Sequence, residues 1–135
     1  MKVLFLDVDG VLNHRMSTSI LAIENPALRL LRYVLNQTNA RIVMSSTWRK
    51  DPDTRAVFFR KTGIWPYSYT PIDPTGKRGL EIRRWLREHP EVTRYAIVDD
   101  GSDMLPEQLP FFVQTSFETG LLNEHAEKLV EILRG

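Results

Sequence analysis

Two aspartates that follow an apolar run near the start of the chain are the side chains best placed to do chemistry. Residues 3–6 are all apolar, which indicates a strand buried on both faces, and Asp7 and Asp9 come next, followed by Gly10. Because side chains alternate along an extended chain, we expect Asp7 and Asp9 on the same side. Two neighbouring carboxylates repel each other unless a cation neutralises them. Carboxylate oxygens are ligands that Mg²⁺ prefers, so the pair predicts a magnesium-dependent active site.

Two more apolar runs also end in polar side chains. Residues 41–44 lead to two hydroxyls and residues 95–98 to two carboxylates, namely Ser45, Ser46, Asp99 and Asp100. Strands that alternate with helices predict an α/β fold, a Rossmann-like three-layer sandwich with a mainly parallel sheet. Right-handed crossovers bring the carboxyl ends of such strands to one edge, where ligands bind. The polar ends of the three runs should therefore meet there.

The hydrophobic periodicity predicts the elements that must position these side chains. We expect strands over 2–7, 41–45, 95–99 and 111–114, helices over about 26–38, 51–61, 79–88 and 123–134, and a short helical turn near 103–109. Residues 8–24 form a polar excursion, and the proline-rich stretch 64–77 is expected to be a loop. The chain shows no repeat or linker, so we expect residues 1–135 to form a single domain.

Composition narrows the class of protein. The 135 residues are 42% apolar and 26% charged, as in soluble globular domains. No apolar run approaches the roughly 20 residues that span a bilayer, and the start does not resemble a signal peptide, so we expect no membrane contact and a cytoplasmic location. The chain has no cysteine, which excludes disulfides and thiolate metal sites.

Charge is distributed unevenly along the chain. Residues 48–87 hold ten basic and four acidic side chains, a net charge of +6, whereas residues 88–135 have a net charge of −7. The basic segment also contains seven aromatic side chains, at positions 48, 58, 59, 65, 67, 69 and 85. Basic and aromatic groups together suit a phosphate backbone with stacked bases. The alternative is that the aromatics fill the core and the arginines solvate helix surfaces.

Four motifs together resemble those of the haloacid dehalogenase (HAD) phosphohydrolases. They are Asp-x-Asp-Gly-x-Leu at 7–12, the strand ending at Ser45, the basic helix start at Lys77 and Arg78, and Asp-Asp at 99–100. The branch associated with Swiss Army Knife RNA repair proteins is the most similar. It shares the Ser-Ser-x-Trp-Arg segment at 45–49 and the Arg-Gly-x-Glu-Ile-x-x-Trp-Leu helix at 78–86.

The resemblance implies a magnesium-dependent phosphomonoesterase. Asp7 would attack phosphorus and form an aspartyl-phosphate, while Asp9 would serve as general acid and then as general base. The metal would be held by Asp7, the backbone carbonyl of Asp9, Asp100 and Asp99. An acid/base group at Asp9 favours phosphoryl transfer over dehalogenation.

The resemblance also implies contacts to the transferring phosphoryl group. Ser45 is the expected hydroxyl, with Ser46 as the second choice. Arg78 fits the family's basic position best because a glycine follows it, although the family usually has lysine there and Lys77 is adjacent. Arg49 is a further candidate for a phosphate contact, and the alternative is an arginine on the surface at a helix start.

The spacing of the motifs bears on substrate size. Only 35 residues separate Asp9 from Ser45, and 32 separate Ser45 from Arg78. The resemblance implies a tight turn and a hairpin flap within residues 8–24, and this flap and a helix fill the first interval, while a helix and a loop fill the second. No full cap domain therefore fits in either interval. Open sites in this family tend to serve large substrates, which favours the phosphorylated ends of RNA or DNA, or nucleotides. The alternatives are a phosphatase of small metabolites and a non-catalytic module that binds phosphate or nucleic acid. The sequence does not predict the oligomeric state.

Overall fold

The first strand lies at the centre of the sheet. A computed structural model describes all 135 residues, and in it β1 (Lys2–Leu6) is flanked by β2 (Arg41–Met44) and β4 (Arg94–Asp99). The strands β3 (Ser68–Tyr69) and β5 (Phe112–Gln114) form the two edges. Each adjacent pair is parallel, in the order β3-β2-β1-β4-β5. An unbroken apolar strand suits this central position because it is covered on both faces.

Four α-helices cover the two faces of the sheet. They are α1 (Asn25–Thr38), α2 (Pro52–Thr62), α3 (Arg78–Arg87) and α4 (Asn123–Arg134), and short 3-10 helices occupy Thr47–Lys50 and Pro106–Phe111. Asp51 caps α2 by accepting from the backbone N–H of Asp53, and Gly63 ends it with a φ of 70°. The predicted α/β fold with a parallel sheet and helices on both sides is confirmed.

The two faces of β1 belong to different parts of the core. Leu4 and Leu6 pack in the larger cluster with side chains of α1, α2 and α4, whereas Val3 and Phe5 pack in a smaller cluster with Ile82 of α3. The parallel register places Phe5 beside Val43 and Ile97. Side chains that continue this row past the strand ends therefore face α3.

Two local predictions differ from the structure. The stretch 64–77 contains β3, a two-residue strand whose pairing with β2 is set by tertiary packing and leaves no periodic pattern in the sequence. The resemblance suggested a hairpin flap within residues 8–24, but this segment consists of turns. Its backbone pairs with a distant loop, because Arg15 N donates to Phe117 O and Leu121 N donates to Val11 O.

No cap domain is inserted between the strands, as the spacing predicted. Turns and α1 fill the interval after β1, while a 3-10 helix, α2 and β3 fill the interval after β2. The carboxyl edge of the sheet is consequently left open. None of the helices is both long enough and apolar enough to cross a bilayer.

Candidate active site

The ends of three neighbouring strands bring a hydroxyl and two carboxylates into one row. Asp7 N donates to Val98 O at 3.1 Å and Ser45 N donates to Leu6 O at 3.0 Å, so the parallel pairing continues past β1 and β2. Asp7 therefore stands between Ser45 and Asp99 in the register, and we call these three residues the acidic row. All three side chains are buried. The predicted convergence at the carboxyl edge is what the structure shows.

The side chain of Arg78 reaches the acidic row from the face of the sheet that α3 covers. Arg78 Nη1 lies 3.0 Å from Asp7 Oδ1 and 2.5 Å from Asp99 Oδ2. Burial opposes the charge of Arg78, but the attraction of Asp7 and Asp99 outweighs it and raises the pKa of the guanidinium. The neighbouring Lys77 is exposed, so Arg78 is the basic side chain that reaches the strand ends.

The electrostatics of the row show a deficit of positive charge. Burial and the adjacent Asp99 raise the pKa of Asp7 to about 8, although Arg78 acts in the opposite direction. Burial and Asp99 also raise the pKa of Asp100. One guanidinium does not balance the carboxylates that face it.

The acidic cluster fits a hard divalent cation. Asp7, Asp99 and Asp100 each offer an oxygen, and these atoms lie within 4.8 Å of one another. Gly10 makes room for this arrangement, because a Cβ at its position would stand 2.1 Å from Asp100 Oδ2 and its φ is +80°. Carboxylate oxygens without imidazole or thiolate donors suit Mg²⁺. The side chain of Asp9 is not part of the cluster.

Asp9 lies just outside the row, where its orientation is fixed by two donors. Its Oδ1 accepts from Asn13 Nδ2 at 2.9 Å and from the indole Nε1 of Trp48 at 3.3 Å. Asn13 is itself held by Gly10 N, which donates to Asn13 Oδ1 at 3.0 Å. Asp9 is exposed, and its carboxylate therefore has access to a ligand from solvent.

The two serines after β2 occupy different environments. Ser46 Oγ caps the following 3-10 helix by accepting from Trp48 N at 3.2 Å. Ser45 Oγ is buried and has no hydrogen-bond partner. A buried hydroxyl without a partner is costly, and an oxygen of a bound anion would satisfy it. The geometry thus favours Ser45 over Ser46 as the ligand-binding hydroxyl.

Arg49 is not placed to contact a substrate, which corrects the expectation from the sequence. Its exposed fraction is 2%, and it forms an ion pair with Glu81, with 3.0 Å between Nη2 and Oε2. The remaining N–H groups donate to the carbonyls of Ser45, Ser46, Thr70 and Pro71. These contacts use all five donors of the guanidinium. Neither the phosphate contact nor the surface alternative describes this buried residue.

A pocket opens beside Asp9. It has a volume of about 510 Å³ and is lined by Asp9, by side chains between Asn13 and Ile20, and by Phe117. Ile20 and Phe117 are exposed apolar side chains at its rim. The pocket therefore combines an apolar surface with a carboxylate next to the acidic row.

The basic aromatic segment divides between core and surface. Trp48, Phe58 and Trp85 are buried, whereas Phe59 and Trp65 are exposed, Trp65 by 75%. The interpretation that the aromatics fill the core therefore holds for the three buried side chains, whereas a role of the exposed ones in nucleic-acid binding stays a prediction.

The sequence analysis did not identify three residues that orient the site, because none of them lies at the end of a strand. Asn13 and Trp48 fix Asp9, and Asp103 accepts from the backbone N–H of Arg78 at 2.9 Å. The only sequence signals were an asparagine four positions after Asp9 and a tryptophan two positions after Ser46.

Comparison with known proteins agrees with this geometry. No curated protein and no solved structure matches the chain. One family model matches residues 3–126, a range that spans every element from β1 to the first turn of α4 and contains the whole acidic row. The chain therefore belongs to the family described as the HAD domain in Swiss Army Knife RNA repair proteins.

Proposed function

We propose that this protein is a magnesium-dependent phosphomonoesterase that acts, as a single domain, on the phosphorylated ends of RNA or DNA. The observation that carries the proposal is the row of Ser45, Asp7 and Asp99 with Arg78 across it and Asp9 beside an open pocket. Phosphoryl transfer through a covalent intermediate requires a nucleophile, a cation, a hydroxyl that is free to bind and an acid, and these four groups are present here.

The reaction takes two steps. In the first, an Asp7 carboxylate oxygen bonds to phosphorus, the bond from phosphorus to the leaving oxygen breaks, and Asp9 gives its proton to that oxygen. In the second, a water oxygen bonds to phosphorus, the bond to Asp7 breaks, and Asp9 takes the proton of the water. The donors from Asn13 and Trp48 keep one oxygen of Asp9 engaged, so its other oxygen is free for this proton.

Positive charge must hold the phosphoryl oxygens in both steps. Arg78 supplies a guanidinium at Asp7, and Ser45 supplies a hydroxyl that lacks another partner. Mg²⁺ bound by Asp7, Asp100 and the Asp9 carbonyl, with Asp99 beside it, would add the charge that lets an anionic carboxylate approach an anionic phosphate. The raised pKa of Asp7 is consistent with a site that needs this extra cation.

The pocket beside Asp9 bears on the leaving group. Because Asp9 protonates the leaving oxygen, the group attached to that oxygen must extend into the space next to Asp9. A volume of about 510 Å³ lies in the range of pockets for small organic ligands and suits one nucleoside. Phe117 offers an aromatic surface for a base, and Arg15 offers a cation, although Glu118 holds it at 2.5 Å.

The test is phosphate release with and without Mg²⁺ from three substrates: a 3′-phosphorylated oligonucleotide, a 5′-phosphorylated oligonucleotide and a mononucleotide. Asp7→Asn should abolish release, and Asp53→Asn, at an exposed position in α2, is the matched control. We expect metal-dependent release with a preference for one oligonucleotide end. Near-normal turnover by Asp7→Asn would refute the covalent mechanism.

A phosphatase of mononucleotides or small metabolites is the second candidate, and the size of the pocket favours it. It predicts rates on the mononucleotide equal to or above those on the oligonucleotides. Metal-dependent binding of these ligands without phosphate release would instead indicate a binding module on the same fold.

A further inference from the structure

The first turn of α3 carries three residues with separate contacts. Arg78 reaches the acidic row, and Glu81, three positions later on a neighbouring part of the helix surface, pairs with Arg49. Between them, Gly79 allows close packing, since a Cβ there would stand 2.8 Å from Leu105 N and 2.9 Å from Asp103 O. The position of this single turn therefore determines where the guanidinium of Arg78 lies.

One side of the turn is held by the segment after β4. The backbone N–H of Arg78 donates to Asp103 Oδ2 at 2.9 Å, and Gly79 N donates to Asp103 O at 3.2 Å. Gln108 Nε2 donates to Gly79 O at 2.8 Å. These contacts connect α3 to the strand that supplies Asp99.

The other side is held by Arg49 and Glu81. Nη1 of Arg49 donates to the carbonyls of Ser45 and Ser46, at 3.0 and 2.9 Å, while its Nη2 contacts Glu81. Glu81 Oε2 also accepts from Asp73 N at 2.9 Å. The guanidinium thus connects the end of β2, where Ser45 lies, directly to the turn that carries Arg78.

A buried ion pair is a costly way to stabilise a fold, because apolar side chains of similar volume usually stabilise it as well or better. Apolar contacts lack the directionality of hydrogen bonds. The fork of five donors specifies the positions of carbonyls and a carboxylate, whereas apolar contacts tolerate sliding. The exposed fractions of 2% for Arg49 and 4% for Glu81 exclude a role in solvation.

We infer that Arg49 and Glu81 are positioning residues that set Ser45 and Arg78 at the correct separation around the phosphoryl group. The inference rests on the proposed phosphatase activity. Neither residue touches the substrate. Both act through Ser45 and Arg78, which contact the phosphoryl group. A misplacement of about 1 Å in such groups lowers the rate by a factor on the order of 10².

The test uses two conservative variants, with controls in an exposed ion pair at the end of α3. Glu81→Gln removes the buried charge, and Arg49→Lys keeps the charge but offers three donors in place of five. Arg84 Nε of α3 and Oε1 of Glu88, the residue that caps the C-terminal end of α3, form an exposed ion pair at 3.1 Å, so Glu88→Gln and Arg84→Lys are the matched controls.

Kinetics are measured at a temperature where circular dichroism shows each variant to be folded. We expect kcat to fall about 10- to 100-fold in both buried-pair variants, with KM changed less than about threefold, because the pocket that holds the leaving group lies elsewhere. The controls should stay within about twofold of wild type. A folded Glu81→Gln with a lower melting temperature but an unchanged kcat would overturn the inference and leave the pair a structural role alone.

Amide hydrogen exchange separates this inference from the proposed function and covers the case in which Arg49→Lys does not fold. We expect the amides of residues 78–81 to exchange at least tenfold faster in Glu81→Gln than in Glu88→Gln. If wild type releases no phosphate from any substrate, the proposed function fails, but this faster exchange would still support the positioning of Arg78 by the pair. Equal exchange rates in the two variants would overturn it.

Discussion

The acidic row makes the metal-free protein less stable as the pH rises. Most aspartates have the opposite effect, because their pKa is lowered on folding. Because the pKa of Asp7 is raised from 3.8 to about 8, the folded protein holds a proton between these pH values that the unfolded chain has released. This contribution to stability is fully present below about pH 4 and is lost as the pH rises through about 8.

The magnitude follows from the shift. Each pKa unit corresponds to about 1.4 kcal/mol, so the rise from 3.8 to about 8 is equivalent to a loss of up to about 6 kcal/mol in the free energy of unfolding. Asp7→Asn places a neutral side chain of the same shape in the row at every pH. At pH 8 and without metal, this variant should therefore be more stable than wild type by several kcal/mol, whereas the two should nearly coincide near pH 4.

The assay is urea unfolding followed by tryptophan fluorescence from about pH 4 to about pH 9 in a chelating buffer. Asp53→Asn, at an exposed position, should follow the wild-type curve. Saturating Mg²⁺ should restore wild-type stability at high pH, because the ion binds the ionised carboxylates, and should affect Asp7→Asn much less. Parallel pH curves for wild type and Asp7→Asn would refute the electrostatic reasoning.

Three further substitutions test separate parts of the site. Gly10→Ala should lower the free energy of unfolding by about 1–3 kcal/mol and weaken Mg²⁺ binding, as followed by denaturation and metal titration, because its Cβ would collide with Asp100 and its φ is +80°. Asn13→Ala should reduce kcat about tenfold with little change in KM, since Asp9 loses a donor at 2.9 Å. Phe117→Ala should raise KM for a nucleotide about tenfold or more and leave KM for glycerol phosphate unchanged, because this aromatic rim of the pocket would stack only on a base.

The strands and the row at their ends could be predicted because their signal is local. A buried parallel strand needs an unbroken apolar run, and the polar residue that ends the run marks the edge of the sheet. Asp7, Ser45 and Asp99 were found by this pattern, and the parallel register then explains why they meet.

The contacts that cross between elements left no such signal. Nothing in the sequence around Arg49 distinguishes an arginine that faces phosphate from one that is surrounded by carbonyls, since both follow a serine motif at a helix start. Its partner Glu81 lies 32 positions later, and only the folded chain brings Thr70 and Pro71 to the same guanidinium. The pairing of β3 was missed for the same reason, because two residues carry no periodicity.

The central position of β1 also determines when the site can form during synthesis. The strand leaves the ribosome well before β4, which is one of its two hydrogen-bonded neighbours, and α1 is covered only once α4 has been made. At about 5–20 residues per second, Asp7 emerges roughly 5–20 s before Asp99. During that interval the most apolar strand of the protein lacks a partner on one side. Asp7 and Asp99 can therefore come together only after this interval.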